Sequence, residues 1–336
     1  MDDPEISFHR YFRTLTNPEH RAIYRGKADL DVLEPDLSSL LLKVQQSYNS
    51  ALKERGSVFE RGACSDFHLD YVDATIASAF SFEYEGRAFL ALSIPLIAAM
   101  WRSAGQLCQS KSVMSYFQDG TGVDLRNVHA IFFLAQISFL VSHEFAHHDR
   151  GHFSSRSRAG DLDNDLEANH KFGSMAEQAK EIDADGWAVM LNVDNWFDRA
   201  GRGSFLHAFG QERAESHQAD NQLLVCLVMS VCAALLLWQP MELTEANVYE
   251  LSHPPQAARM ERILLTIDMW ARNSRPWIAM DATQHIFPDL ISAVEDALAP
   301  VTGAHNWEQQ VNFLRTSAGQ QYMHALIEQS ESIRRQ

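Results

Sequence analysis

The sequence predicts a mostly α-helical α+β fold, in which a small antiparallel hairpin packs on two helices that carry the reactive side chains. Three observations support this prediction. Apolar residues recur at helical spacing in much of the chain, two strand-like segments flank a glycine turn, and one apolar helix runs directly into FLVSHEFAHHDRGH, residues 139–152. With 336 residues, 46% of them hydrophobic, the chain is long enough to bury a sizeable core.

The first part of the chain is predicted to be helical, because apolar residues recur at helical spacing between Pro35 and Lys53. Residues 74–82 and 87–94 are the best strand candidates. Residues 83–86 between them end in a glycine, which tolerates the positive φ of a hairpin turn. Pro95 then opens a helix, since proline is tolerated in a first helical turn.

The remaining chain is predicted to be helices joined by loops. A loop at residues 119–122 precedes the helix that contains the His-Glu motif. Residues 153–173 are rich in Ser, Arg, Gly, Asp and Asn, which is typical of a surface loop. Further interruptions are predicted at residues 253–255, His-Pro-Pro, and around Pro288 and Pro300.

Composition limits the partners and the compartment. The net charge of -16 would repel a phosphate backbone, so we expect no nucleic-acid partner. The acidic start MDDPEISFHR does not resemble a secretory signal, and the cysteines include no Cys-x-x-Cys pair, so we expect a cytoplasmic protein with reduced thiols. The apolar stretch at residues 223–238 is shorter than a span of roughly 20 residues. It is predicted to be a buried core helix, with no stable membrane insertion.

The His-Glu motif has the spacing of a zinc site. His143 and His147 are four residues apart, so on an α-helix both imidazoles lie on one face and can bind one ion. Glu144 lies about 100° further round the helix, where it can take a proton from a water molecule on the metal. The sequence therefore predicts one zinc ion held by His143 and His147, with Glu144 as the general base.

A catalytic zinc needs a third protein ligand and keeps its fourth position open for water or substrate. The nearest candidates along the chain do not fit. His148 follows His147 directly and points away, while His152 lies roughly 180° from His143 round a straight helix. We interpret His148 and His152 as structural or solvent-facing residues.

A carboxylate ligand is predicted instead in AEQAKEIDADGWAVML, residues 176–191, which has the apolar pattern of a second helix. Glu181 and Asp185 are four residues apart and share a face. Glu181 can bind the metal, while Asp185 accepts the remaining N–H of a ligating histidine and fixes its orientation. Glu177, one turn earlier, is the competing ligand, but it would leave a glutamate in that orienting role.

Residues 70–265 resemble the gluzincin metallopeptidases, in particular the compact minigluzincins that include HtpX-type proteases and Lit-type phage-exclusion peptidases. The motifs that carry the resemblance are GRAFLALSIPLIAAMW, ISFLVSHEFAHHDRGH, KEIDADGWAVML and LSHPPQAARMERIL. The resemblance implies a gluzincin-type catalytic core at residues 71–265, between helical regions at 1–70 and 266–336, in one compact unit. The lack of convincing membrane spans favours the soluble, Lit-like branch.

The resemblance also implies roles for residues beyond these two helices. His253 or Arg259 would support the site or its oxyanion, and Tyr249 is another possible oxyanion donor on position. The strand RAFLALSI, residues 87–94, would be the edge strand beside the cleft. A protein substrate would then bind as an extended strand added to that edge.

The leading functional hypothesis is a zinc-dependent endopeptidase that cleaves a protein substrate and is latent until a signal such as phage infection. The alternative is a zinc-binding sensor or regulatory protein with a peptidase-like fold. A structural zinc site needs no general base, so Glu144 argues against this alternative. A helical scaffold with an accidental motif is the third hypothesis. The substrate, the trigger and the oligomeric state do not follow from the sequence.

Overall fold

The computed structural model describes residues 3–56, 66–117, 123–152, 174–210, 216–238, 243–278, 280–303 and 307–334. The loops predicted at residues 119–122 and 153–173 lie outside these ranges. The chain forms two compact units, each built from two segments of the chain. Unit 1 contains Met1–Ala98 and Glu144–Gly173, and unit 2 contains Ala99–His143 and Ser174–Gln336.

The described residues form helices and four strands. The strands are β1 (Tyr24–Lys27), β2 (Phe67–Ala74), β3 (Ala79–Tyr84) and β4 (Arg87–Ser93). The α-helices are α1 (Pro4–Thr14), α2 (Pro18–Ile23), α3 (Pro35–Gly56), α4 (Ile94–Gln109), α5 (Lys111–Met114), α6 (Leu125–Asp149), α7 (Met175–Trp196), α8 (Arg199–Ala208), α9 (Ser216–Leu235), α10 (Gln256–Ser274), α11 (Met280–Thr302), α12 (Trp307–Leu314) and α13 (Ser317–Arg334). The fold is therefore mostly helical and of the α+β class.

The sheet of unit 1 is mixed, whereas the sequence predicted an antiparallel one. Its order is β1-β2-β4-β3, with β2 and β4 parallel and the other two pairs antiparallel. β2 lies outside the predicted strands, although Phe67, Leu69 and Tyr71 alternate with the polar His68 and Asp70 as in a strand. The buried Asp70 is nevertheless satisfied, since its carboxylate accepts hydrogen bonds from Gln45 and from the N–H of Tyr71.

The predicted hairpin is present, but its first strand is displaced along the chain. β4 agrees with the prediction for residues 87–94, while β3 begins at Ala79 instead of Ala74. The turn between them has positive φ at Glu85 (53°) and Gly86 (75°), as a two-residue hairpin with right-handed strand twist requires. Residues 75–78 connect β2 to β3, which accounts for the displacement.

The edge strand predicted from the resemblance was wrong. β4, which contains RAFLALSI, lies between β2 and β3 and is therefore a central strand. β2 pairs with it in parallel from Phe67 opposite Ala88 to Val72 opposite Ser93. β3 is the edge strand on that side of the described sheet. The correction follows from β2, whose pairing with β4 the local sequence did not reveal.

One face of the sheet packs against α1 through aromatic side chains. Phe8 is fully buried, and its ring centroid lies 6.0 Å from that of Phe82 and 5.7 Å from that of Phe89. Tyr11 stacks on Phe82 at 3.9 Å. Rings at these separations gain both buried area and favourable ring contacts, so they hold β3 and β4 firmly in unit 1.

Unit 2 is helical around α7. A core cluster joins α7 to α10 and α13 through Ile182, Ala258, Tyr322 and Leu326. The side-chain amide of Gln178 in α7 also donates to the carbonyls of Val248 and Leu251, which precede α10. Its oxygen accepts a hydrogen bond from the hydroxyl of Tyr322. These contacts fix the helix that carries the predicted carboxylate ligand.

Two helices are long and apolar enough to cross a membrane by length and composition alone, namely Leu125–Asp149 and His217–Leu235. In the fold, 78% of the most apolar 18-residue stretch of the first helix and 89% of that of the second are buried. Buried core helices pass the same test, so this finding is weak support for a membrane span. The prediction that residues 223–238 include a buried core helix is confirmed by α9.

Other predicted boundaries differ from the fold. Pro288 and Pro300 lie inside α11 instead of interrupting the helical region. Each proline removes one helical N–H donor, but buried Leu290 and Val294 still anchor that helix. The boundary expected at residue 70 falls inside β2, and the one at residue 265 falls inside α10. The region at residues 1–70 also contains β1, so it is not only helical.

Two glycines make a matched test of the hairpin turn. An added Cβ would meet nothing within 4 Å at Gly86 or at Gly203, but Gly86 has a φ of 75° and Gly203 lies inside α8. We expect Gly86→Ala to lower the free energy of unfolding by about 1 kcal/mol. Gly203→Ala should raise it by roughly 0.5–1 kcal/mol. Urea denaturation measures both, and equal effects would contradict the backbone argument.

Candidate functional site

Helix α6 carries the His-Glu motif along a buried stretch. Phe139 and Leu140 are buried one turn before the motif, and His143 and Glu144 are only 5% and 8% exposed. Buried polar groups need partners, because an unpaired one loses its hydration without compensation. The partners of the motif side chains therefore decide what the site can do.

His143 lies between two carboxylates of α7. Its Nδ1 atom is 3.0 Å from Oδ1 of Asp185, and its Nε2 atom is 3.2 Å from Oε2 of Glu181. Both carboxylates reach the same ring because they are one helical turn apart. Asp185 thus faces Nδ1 of the ring and Glu181 faces Nε2, as expected for two carboxylates that share one face of α7.

Asp185 is itself held by Arg259 of α10. The guanidinium donates from Nε to Oδ2 and from Nη2 to Oδ1, both at 2.7 Å, and Asp185 is fully buried. Burial raises the pKa of Asp185, but the charge and hydrogen bonds of Arg259 outweigh it and hold the pKa below its ordinary value. Two parallel bonds of this kind fix the plane of the carboxylate, and with it the direction of its contact to His143.

The pKa of His143 is raised from 6.5 to about 10. Burial lowers the pKa, but hydrogen bonds and charges from Asp185 and Glu181 favour the protonated ring more strongly. Each nitrogen of the ring thus has one carboxylate beside it. The pair of carboxylates around His143 is therefore suited to a positive charge.

The structure brings three potential metal ligands together. One ligand atom each from His143, His147 and Glu181 lie within 4.8 Å of one another. The competing ligand Glu177 has another place, because its N–H is capped by Ser174 and its carboxylate pairs with Lys180 at 3.3 Å. In the described chain the three-residue set therefore includes Glu181 and not Glu177.

Glu144 lies beside this set and contacts β3. The hydroxyl of Ser81 donates to Oε2 of Glu144 at 3.0 Å. This hydroxyl donor orients the carboxylate and carries no charge of its own. Sequence reasoning missed Ser81, since β3 gives no signal that identifies which of its residues reaches α6.

His148 and His152 are not solvent-facing, because they are only 5% and 4% exposed. His148 lies 3.7 Å from Oε1 of Glu83, and its ring meets that of Phe67 edge-on at 5.8 Å. Burial lowers the pKa of His148, which favours the neutral ring. His152 contacts the ring of His147, with their Nδ1 atoms 3.0 Å apart. Burial therefore agrees with the structural interpretation of both histidines and excludes the solvent-facing one.

The three residues implied by the resemblance have different surroundings. His253 has a half-exposed ring whose Nε2 atom lies 3.6 Å from Oε2 of Glu181. Arg259 uses two of its donors on Asp185. Tyr249 packs edge-on against Tyr322 at 5.6 Å, and none of its described contacts reaches the three-ligand set.

Comparisons with known proteins identify one family. A family model described as Peptidase U49 matches residues 111–279, just over half of the 336 residues. The matched range includes the motif of α6, the carboxylates of α7 and Arg259 of α10, but not the sheet. No curated protein and no solved structure matches the chain.

Because Asp185 and Arg259 form a buried ion pair, loss of Arg259 should cost much stability, and a second substitution at Asp185 should recover part of it. Arg259→Leu should lower the free energy of unfolding by about 3–5 kcal/mol, because it leaves a buried carboxylate without its counter-charge. Adding Asp185→Asn removes that charge and should recover part of the loss. Arg272→Leu on the same helix breaks an exposed pair with Asp268 and should cost less than about 1 kcal/mol. Urea denaturation measures these free energies of unfolding. A double variant Arg259→Leu/Asp185→Asn less stable than Arg259→Leu alone would contradict the prediction.

His143 predicts a pH dependence in chelator-treated protein. A pKa raised from 6.5 to about 10 contributes stability that is complete below pH 6.5 and is lost as the pH rises through 10. The free energy of unfolding should therefore fall across this interval in the unaltered protein. His143→Asn should lack this component of the fall. Chemical denaturation at several pH values checks the prediction, and equal slopes for both proteins would contradict it.

Proposed function

Since this chain belongs to the Peptidase U49 family, we propose that it is a zinc-dependent endopeptidase whose ligands are His143, His147 and Glu181. Membership of the family supports peptide-bond hydrolysis. The proposal of zinc rests on one observation above the others, which is the convergence of two imidazoles and a carboxylate within 4.8 Å.

The donor set fits a catalytic zinc better than a structural one. Zinc prefers nitrogen and sulfur donors together with carboxylate oxygen, and catalytic sites combine three protein ligands with one open position. Structural sites close with four protein ligands, usually including cysteine. The free cysteines that the structure describes are the buried Cys108, Cys226 and Cys232, and none belongs to the three-ligand set.

Glu144 is the proposed proton carrier. A zinc ion held by the three ligands would polarise the scissile carbonyl and make the attacking water more acidic. Glu144 would accept the proton of that water and then deliver it to the leaving amine, as a general base that becomes a general acid. Ser81 would keep the carboxylate in place between these two transfers, since it donates to one of its oxygens at 3.0 Å.

Asp185 and Arg259 would fix the first histidine ligand. A histidine that binds metal through one ring nitrogen usually donates the N–H of the other to a carboxylate, which sets the tautomer. Asp185 lies beside Nδ1 of His143, which leaves Nε2 for the metal, and Arg259 holds Asp185 in one orientation. Arg259 therefore acts through Asp185, and His253 is the better candidate for stabilising an oxyanion because its half-exposed ring lies 3.6 Å from Glu181.

The substrate is proposed to bind as an extended strand along β3, not along β4. An edge strand offers unpaired N–H and C=O groups that an extended peptide can pair with. β3 is an edge of the described sheet, and its Ser81 touches the proposed base. A peptide added to this edge would therefore run beside Glu144.

Cytoplasmic location and latency complete the proposal. Buried free thiols suit a reducing compartment, and an unregulated protease there would harm its own cell. The Lit-like resemblance supports a defence role that begins with a trigger such as phage infection. Degradation of unstructured proteins by the purified chain, without any trigger, would contradict the latency.

The alternative function is a zinc-binding sensor that does not cleave its partner. It requires the same three ligands but gives no role to Glu144. The contact from Ser81 to Glu144 favours the peptidase, since an acid–base group needs a fixed orientation. Metal-dependent binding of a partner that is not cleaved would support the sensor instead.

Glu144→Gln tests the proposal most directly. The change keeps the size of the side chain and removes the base, so peptide-bond cleavage should fall by at least about 100-fold while zinc remains bound. New protein N-termini are compared between cells with the unaltered protein and cells with Glu144→Gln. Termini found only with the unaltered protein would identify a peptidase and its substrate together.

Zinc content separates the possible failures of this experiment. His147→Ala and Glu181→Ala should purify with much less zinc than the unaltered protein, because each removes one of three ligands. Matching N-termini together with ligand-dependent zinc would favour the sensor, or a peptidase that still lacks its trigger. Zinc content that is unaffected by either substitution would overturn the proposed site.

A further inference from the structure

The C-terminus of α6 ends in a reversal that affects the site. Gly151 has a φ of 70°, its N–H bonds the carbonyl of His148 at 3.0 Å, and the N–H of His152 bonds the carbonyl of His147 at 2.9 Å. A left-handed glycine with these two hydrogen bonds is the Schellman motif. In this motif the residue after the glycine turns back toward the residue five positions earlier, which here is His147.

The reversal puts two imidazole rings together. The Nδ1 atoms of His147 and His152 are 3.0 Å apart, and their ring centroids are 5.1 Å apart with the planes at 70°. His152 is only 4% exposed, so this contact is shielded from water. A Schellman motif usually brings apolar side chains together at these two positions, whereas α6 brings together two groups that can exchange a hydrogen bond.

The contact has one arrangement that is compatible with metal binding. Two ring nitrogens at hydrogen-bond distance require one donor and one acceptor. If His147 binds metal through Nε2, its proton lies on Nδ1 and is donated to Nδ1 of His152. His152 then carries its own proton on Nε2. The contact is the counterpart of the one between Asp185 and His143 on the other ligand.

We propose that His152 is a positioning residue for the metal ligand His147, and that the left-handed Gly151 holds it there. This inference rests on the proposed zinc site. Helical spacing excluded His152 as a third metal ligand, but it did not locate His152 beside His147, because α6 ends at Asp149 and the chain beyond it no longer follows the helical wheel.

The choice of a neutral partner has a chemical consequence. Asp185 is negatively charged, but Arg259 offsets its charge, and His152 is neutral in the accepting form. The groups that orient both histidine ligands therefore add no net charge. The carboxylate of Glu181 would then be the single negative ligand, so the ion keeps a net positive charge with which to polarise a carbonyl.

The test measures metal binding by the full chain. The variants are His152→Phe, which keeps a ring but removes the acceptor, His152→Gln, which restores an acceptor oxygen, and Gly151→Ala, which strains the reversal and leaves both histidines. His148→Phe is the matched control, since His148 is equally buried and next to His147. The dissociation constant for Zn²⁺ is measured by competition with a chromophoric chelator, and the visible spectrum of bound Co²⁺ reports the ligand geometry.

We expect His152→Phe and Gly151→Ala to weaken Zn²⁺ binding by about 10- to 100-fold and to change the Co²⁺ spectrum. His152→Gln should recover part of the affinity, and His148→Phe should leave it unchanged. A dissociation constant unaltered in His152→Phe, or weakened equally in His148→Phe, would overturn the inference. If His152→Phe does not fold, Gly151→Ala and His152→Gln decide the question in the same way.

The two proposals fail in different ways. Loss of Zn²⁺ binding in His147→Ala together with normal binding in His152→Phe would remove the positioning role and leave the zinc site intact. Unaltered protein that binds no Zn²⁺, or binds it as tightly after His147→Ala, would overturn both proposals.

Discussion

The buried ion pair between Asp185 and Arg259 is the constraint on which the helical unit and its site depend. Asp185 is fully buried, and an ionised carboxylate without a counter-charge is too costly to keep in such a place. Its two hydrogen bonds with Arg259 are satisfied only when α7 and α10 pack in one register. In the same register, Oδ1 of Asp185 lies 3.0 Å from Nδ1 of His143. The packing of α7 against α10 therefore also orients the histidine ring.

Each polar side chain of the His-Glu motif has its own support. The supporting contacts come from three different parts of the chain, and they join His143 to Asp185, Glu144 to Ser81, and His147 to His152. A helix alone would place the three side chains in the right directions but would leave each ring or carboxylate free to rotate. Fixed orientation is what a site needs for metal binding and proton transfer, because small misplacements of the reacting groups slow the chemistry.

The sheet shows how a missed strand changes a functional expectation. The sequence pattern located β4 and its turn well, because glycine at a positive φ and a run of apolar residues are local signals. It did not locate β2, in which the buried Asp70 contacts Gln45 of α3 and the neighbouring His68 of β2 itself. The resemblance implied that β4 is an edge strand. With β2 in place, β3 becomes the edge, and the proposed substrate strand moves with it.

The sequence by itself determined the helices of the site, the pairing of His143 with His147, and the shared face of Glu181 and Asp185, because these depend on spacing within one helix. It also pointed to a peptidase, which the family match confirms at that level. Only the tertiary structure decided the strand order, the contact of Asp185 with Arg259 and the contact of His152 with His147. Those features depend on contacts between distant residues and on a left-handed turn after α6, where the helical period that guides sequence analysis no longer applies.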